Sequence, residues 1–209
     1  MTRFLPGIIA MAIVVVASNI LVQFRFGESL TWGAFTYPFA FLVTDIVNRV
    51  HGPAAARRVV VAGFVVGLIC SAIAARVDAT TTRIAVASGL AFLLAQFLDI
   101  GVFNRLRDRL GWWKAPLFGT IAGSVLDTLT FFSVAFASAF SFINPAEDVA
   151  WANEAVPLLG WGPLVPVWLS LGAADFLVKL AIGILALVPF RIIVRNMLDR
   201  RATRIAEMR

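Results

Sequence analysis

The stretch FTYPFAFLVTDIVNRV, residues 35–50, is an apolar run interrupted by Asp45 and, about one helical turn later, by Asn48. How it is read depends on the solvent around it. In a bilayer, a lone charged aspartate at the centre of a helix costs at least about 2.5 kcal/mol, so it has to be paired, protonated or functional. Composition identifies the solvent as lipid. Of 209 residues, 60% are hydrophobic and 14% charged, where an ordinary soluble domain is roughly 45–50% apolar and about a quarter charged. The chain reads as an all-α integral membrane protein, because only structures that satisfy their own backbone hydrogen bonds can cross hydrocarbon.

Apolar stretches near the roughly 20 residues that a bilayer requires occur at about 5–24, 32–47, 59–75, 84–103, 116–140 and 164–190. They predict a bundle of six transmembrane helices in a single polytopic domain spanning 1–209, with a basic tail at 191–209. The second carries Pro38 in its first half, so a kinked or partly unwound segment is expected, facing protein or a wet cavity. The last two are long enough to tilt. The first is long and holds Asn19 and Gln23, and reads as a span rather than a cleaved signal peptide. The single cysteine, Cys70, lies within an apolar run, so no disulfide within one chain is expected. The single histidine, His51, sits beside Gly52 and Pro53 at a segment end and gives no His-rich metal site.

Basic residues orient the segments. Arg3 precedes the first; Arg49, Arg57 and Arg58 end or follow the second; Arg105, Arg107, Arg109 and Lys114 follow the fourth; Arg191, Arg195, Arg200, Arg201, Arg204 and Arg209 follow the sixth. The opposite side holds Arg25, Arg76 and Arg83, and the loop at 141–163 has no Lys or Arg. By the positive-inside rule both termini are expected in the cytoplasm. The net charge of +6 is then a topology signal with a tail suited to anionic headgroups, and calls for no nucleic-acid partner. Trp112, Trp113, Trp151 and Trp161 read as interfacial anchors.

Depth can be counted at about 1.5 Å per helical residue from the nearest basic residue. Asp45 and Asp99 fall in the cytoplasmic half, while Asp127, Lys179 and Gln96 fall near the midplane with Asp175 about one turn further out. Five pairs lie three or four residues apart and share a helix face: Asp45 with Asn48, Gln96 with Asp99, Ser124 with Asp127, Asp175 with Lys179, and Asn19 with Gln23. Such stripes turn inward. Ser124, Thr128, Asn19 and Gln23 could simply join helices at roughly 0.6 kcal/mol a bond. Four aspartates facing one lysine require more: protons, a cation, or a ligand rich in hydrogen-bond donors.

Enzyme classes fare poorly. A serine protease within the membrane needs a buried Ser and His pair, and His51 lies at an interface. Asp99 and Asp127 follow FL and VL rather than the Tyr-Asp and Gly-x-Gly-Asp of aspartyl proteases in membranes. No phosphate loop, metal cluster or nucleophile elbow is present in the sequence. No catalytic residue, metal ligand or cofactor is assigned.

Several stretches in order carry a resemblance: TWGAFTYPFAFLVTDIVNRVHG with Ala56, Arg57 and Arg58, then RIAVASGLAFLLAQFLDIGVFNRLRD before WWKAP, then SVLDTLTFFSVAF, and finally ADFLVKL with a late NML. The chain resembles the queuosine precursor transporter family, formerly grouped with vitamin-uptake proteins, from about Ser18 to Leu198. The resemblance implies six helices in a bacterial inner membrane and uptake of a 7-deazaguanine, the 7-cyano or 7-aminomethyl precursor of queuosine, for tRNA modification. Matching residues include Trp32, Phe35, Pro38, Thr44, Asp45, Gln96, Asp99, Asn104, Arg105, Asp127, Thr128, Asp175 and Lys179. Arg49 departs from it, since many members carry an acid there.

A guanine-type edge offers adjacent N–H donors that a carboxylate accepts as a pair, while its carbonyl needs a donor. Asp127, Asp175, Lys179, Gln96 and Asp99 are the candidate substrate-binding residues, and Asp45 and Asn48 the candidates for gating or proton coupling. Aromatic rings, drawn from 18 Phe and 6 Trp, could clamp the base. Two functions stay open at this point. One is a self-sufficient carrier, facilitated or proton-coupled; the other is a substrate-binding membrane subunit of an energised micronutrient uptake complex. A homo-oligomer is compatible with either.

Overall fold

Many large apolar side chains lie on the outside while a set of charged and amide side chains lies inside, unlike a soluble domain. Ile13, Ile20, Ile69, Ile73, Leu185 and Val188 are all exposed, while Asp45, Asn48, Gln96, Asp99, Asp127 and Lys179 are buried. The computed structural model describes residues 4–27 and 30–207; Arg3 and Arg209, counted above for orientation, lie outside them. Seven α-helices account for most of the described residues.

Helix α1, Leu5–Leu21, opens with Pro6 in its first turn, where a missing N–H costs nothing, and is 17 residues long. A two-residue antiparallel ladder, β1 (Arg25–Phe26) on β2 (Leu30–Thr31), turns the chain back. The segment expected at 32–47 is two helices, α2 (Trp32–Thr36) and α3 (Phe39–His51), separated at Tyr37 and Pro38. Pro38 supplies no N–H to the ladder. Gly52 ends α3 with φ of +85°, a conformation suited to glycine, and Pro53 begins α4, Pro53–Arg76.

Helix α5, Thr82–Leu106, is capped by Thr81, whose hydroxyl accepts from the Ile84 N–H at 3.1 Å. Helix α6 covers Lys114–Phe136 and stops short of the expected residue 140, giving way to 3-10 turns at Ser138–Ile143. The loop expected at 141–163 is structured by an antiparallel pair, β3 (Ala155–Pro157) with β4 (Leu164–Pro166). Helix α7, Val167–Glu207, runs through Pro189 and on through most of the expected basic tail. Four of these, α4, α5, α6 and α7, are long and apolar enough to cross a membrane.

Three apolar clusters frame the interior. Met11, Val47, Val59, Val60, Phe92 and Ile100 join α1, α3, α4 and α5. Val50, Phe103, Phe190 and Val194 join α3, α5 and α7, with the Phe103 and Phe190 rings edge to face at 6.4 Å between centroids. Ala87, Val134 and Ala135 close the opposite end of α5 and α6. Helices α5 and α6 make the most extensive contact. A Cβ at Gly119 would lie 2.5 Å from Asp99 Oδ1, and one at Gly123 3.0 Å from the Ala95 carbonyl. These glycines let the helices approach closely, the usual device where lipid supplies no hydrophobic drive for association. The space they leave is occupied by the Asp99 carboxyl.

Candidate functional site

Between α3, α5, α6 and α7 the buried polar side chains fall into two layers. The first is centred on Lys179 of α7. Its ammonium donates to Asp127 Oδ2 on α6 at 2.5 Å, to Thr128 Oγ1 at 3.3 Å, and to Asp175 Oδ2 one turn earlier on its own helix. The Thr128 hydroxyl donates to Asp175 Oδ2 at 3.0 Å, and the Tyr37 hydroxyl donates to Asp127 Oδ1 at 2.9 Å. Lys179 Nζ also lies 5.4 Å from the centroid of the Tyr37 ring. One ammonium therefore serves two carboxylates, and each carboxylate has a hydroxyl donor as well. Removing one member of such a buried set exposes the full desolvation penalty of the others.

The second layer is nearer the ends of α3 and α5 that carry the arginines. The Thr120 hydroxyl donates to Asp45 Oδ2 at 3.4 Å, and Thr44 donates to Gln96 Oε1 at 2.6 Å. Asp45 and Asp99 both lie against the Gly119–Thr120 turn of α6, where a Cβ at Gly119 would be 2.5 Å from Asp99 Oδ1. Among the described residues, the buried side-chain atoms without a partner are Asp45 Oδ1, both Asp99 carboxyl oxygens, both Asn48 amide atoms, Gln96 Nε2 and Ser124 Oγ. All belong to this layer or, in Ser124, to the turn of α6 that leads out of it. The two layers thus differ in kind: the first is saturated and the second is not.

The structure brings together Asp127, Asp175 and Lys179 of the sequence-predicted substrate residues. It puts Gln96 against Thr44, and Asp99 beside Asp45, one layer away. Counting depth separately along each helix grouped Gln96 with Asp127, because such counts carry no information on helix tilt or on which neighbour a face meets. Asn48 is buried in the second layer. The Asn19 and Gln23 stripe joins neither: Asn19 donates to the Val15 carbonyl of its own helix at 2.9 Å, and Gln23 is exposed past the end of α1. Tyr37 was missed by sequence reasoning, although the chain's only tyrosine beside Pro38, at the expected break, was the available signal. Arg83, counted above as an outward charge, is fully buried instead.

The family model described as "Putative vitamin uptake transporter" matches residues 31–194, an interval that contains every residue of both layers. The chain belongs to the vitamin uptake transporter family. Among curated relatives of this family member, the "Queuosine precursor transporter" of Escherichia coli strain K12 is 34% identical over 207 residues, covering 90% of this chain and 85% of the relative. The "Probable queuosine precursor transporter" of Haemophilus influenzae is 33% identical, covering 90% and 84% respectively. The protein of the same description from Bacillus subtilis is 28% identical, covering 85% and 78%. No solved structure matches the chain.

Proposed function

We propose that this protein takes up queuosine precursors, 7-cyano-7-deazaguanine or 7-aminomethyl-7-deazaguanine, across the inner membrane for tRNA queuosine salvage. The observation that carries this reading is the saturated layer of Asp127, Asp175, Lys179, Thr128 and Tyr37 in a chain of this family. The lysine occupies the carboxylates that a guanine-type edge would use. An incoming base donates its adjacent N–H groups to one carboxylate, and the freed ammonium turns to the base carbonyl, so that no charge is left unpaired during the exchange. The Tyr37 ring, already facing the Lys179 ammonium at 5.4 Å, is a stacking surface beside that exchange, worth about 1–3 kcal/mol per base.

The same reading takes the chain to have six transmembrane segments, with α2 and α3 forming one of them across the Tyr37–Pro38 break, and to have both termini in the cytoplasm. Asp45 and Asn48 belong to gating or coupling in this scheme. The test is the queuosine content of tRNA in a precursor-auxotrophic strain with and without the gene, at nanomolar supplied base. Cells with the gene should contain queuosine and those without should not. Adenine, which lacks the adjacent donors and would leave a buried carboxylate unpaired, should not compete, at a cost of about 1–3 kcal/mol or more. Equal queuosine in both strains, or full inhibition by adenine, removes this function.

A further inference from the structure

We propose that Asp45 and Asp99 together form a proton site, one shared proton held between two carboxyls on different helices, separate from the substrate layer and coupling uptake to the proton gradient. The proposal rests on the transport reading above. Asp45 is 3% exposed and Asp99 fully buried. Both carboxyls pack on one turn of α6: the Thr120 hydroxyl donates to Asp45 Oδ2 at 3.4 Å, and Asp99 Oδ1 lies 2.5 Å from where a Cβ at Gly119 would stand. A carboxylate is acceptor-only, so two ionised groups this close repel and neither satisfies the other. A single proton between them converts the repulsion into a hydrogen bond.

Among the described residues, the ion pairs of Arg107, Lys179 and Arg195 give neither carboxyl a cation. Lys179, the one ammonium in this part of the interior, is committed to Asp127 and Asp175. The Arg107 guanidinium, at the arginine-bearing end of α5, is spent on the Asn48 and Arg49 carbonyls. From α4, Arg57 and Arg58 are exposed, and α1 contributes no charged residue between Leu5 and Leu21. Among the described residues, no group of three or more His, Cys, Asp or Glu side chains is arranged for a metal ion. Lys114 at the start of α6 and Arg191 of α7 are exposed, and among the described residues no hydrogen-bond donor reaches Asp45 Oδ1 or either Asp99 oxygen.

The surroundings point to a mobile ligand rather than a fixed bond. Asn48 lies one turn from Asp45 and Gln96 one turn from Asp99, and the Asn48 amide and Gln96 Nε2 are fully buried without partners. A crevice of about 10 Å³ beside Asp45, lined by Pro38, Phe41, Thr120, Gly183 and Phe190 among others, is about the size that admits one water. Thr120, Ser124 and Thr128 repeat every turn along α6, so a row of hydroxyls runs about 10–12 Å from Asp45 to the substrate layer. Ser124, the middle hydroxyl, has no partner. Protonation of the pair removes a negative charge from this layer, and its loss restores one, which gives two states for the row to report to the substrate side.

The experiment uses the purified protein in liposomes with 7-cyano-7-deazaguanine. For one proton per base, a gradient of one pH unit, acid outside, should accumulate the base about tenfold inside, and a sodium gradient of equal size should accumulate none. Asp45→Asn and Asp99→Asn should each bind the base but equilibrate it without accumulation. Accumulation by the unaltered protein that ignores the pH gradient, or follows sodium, overturns the proposal. A readout independent of substrate is the infrared carbonyl band of a protonated carboxyl at neutral pH. It should be present in the unaltered protein and lost in either variant, since Asn donates to the remaining carboxylate and leaves it ionised. Absence of the band overturns the proton site even if transport is seen, whereas a band with no binding of the base overturns the substrate reading alone.

Discussion

Tyr37 and the acids around Lys179 share the work of one site in the proposed function, and each then has a distinct expected phenotype. Asp127→Asn and Asp175→Asn preserve size but replace two accepting oxygens by one, and put an amide N–H beside Lys179 where an acceptor stood. Uptake in the queuosine assay should be lost in both, with protein still found in the membrane fraction. Normal uptake by both would reduce the cluster to a join between helices. Tyr37→Phe is milder. It keeps the ring and removes the 2.9 Å bond to Asp127, a bond to a charged group worth about 1.5–3 kcal/mol. The concentration of base giving half-maximal uptake should rise about tenfold or more, and Tyr37→Ala, which also removes the ring, should cost further affinity. Identical behaviour of the two variants would remove stacking from the scheme.

Arg83 shows how an element can be stabilised by a residue that sequence alone misreads. At the start of α5 its Nε donates to the Val134 carbonyl at 2.8 Å, Nη2 to Ala137 at 2.5 Å and Nη1 to the Ser141 hydroxyl at 3.5 Å. It caps the end of α6, whose last carbonyls have no partner within the helix and whose dipole favours a cation. Arg83→Met keeps much of the stem but strands the buried Val134 carbonyl, at about 1–3 kcal/mol, and the part-buried Ala137 carbonyl at less. Its melting temperature in detergent should fall clearly, while Arg76→Met, at an exposed site, should leave it unchanged. Equal melting would mean that water satisfies these carbonyls. Arg83 read as a topology charge because an arginine near a segment end usually is one. The long apolar elements and the break at Pro38 were legible, since bilayer length and a missing N–H act locally. The β3–β4 pair was not, because three-residue ladders carry no period. Nor was the partnership of Tyr37 with Asp127, ninety positions away: helix-face spacing tells which residues share a face and not which helix that face meets.

At the scale of the molecule, the proposed orientation rests on where the charges end up once burial is known. With Arg83 sequestered in a cap, the side opposite the tail retains only Arg25 and Arg76 as exposed basic residues among those described, which sharpens the asymmetry read from sequence. Helix α7 adds a length argument. At 41 residues it measures roughly 60 Å, about twice the hydrocarbon thickness, so one end must stand clear of the bilayer. The end holding Arg191, Arg195 and Arg200 is the charged one. The other is tied to the β3–β4 pair and the loop that lacks Lys and Arg, where Trp161 is 86% exposed and Trp151 48%, a position that suits the headgroup region. Arg191 lies 4.6 Å from the Trp112 ring centroid, which puts the start of the exposed part of α7 level with the approach to α6. These features place the ends of α3, α5 and α7 and the start of α6 on one face. Reporter fusions after Arg58, Lys114 and Arg209 should then all read cytoplasmic, and a fusion near Trp151 should read external. An external reading at the C-terminus would require an odd number of crossings, and α2 and α3 would then be a re-entrant pair whose Tyr37 hydroxyl reaches Asp127 without passing through the bilayer.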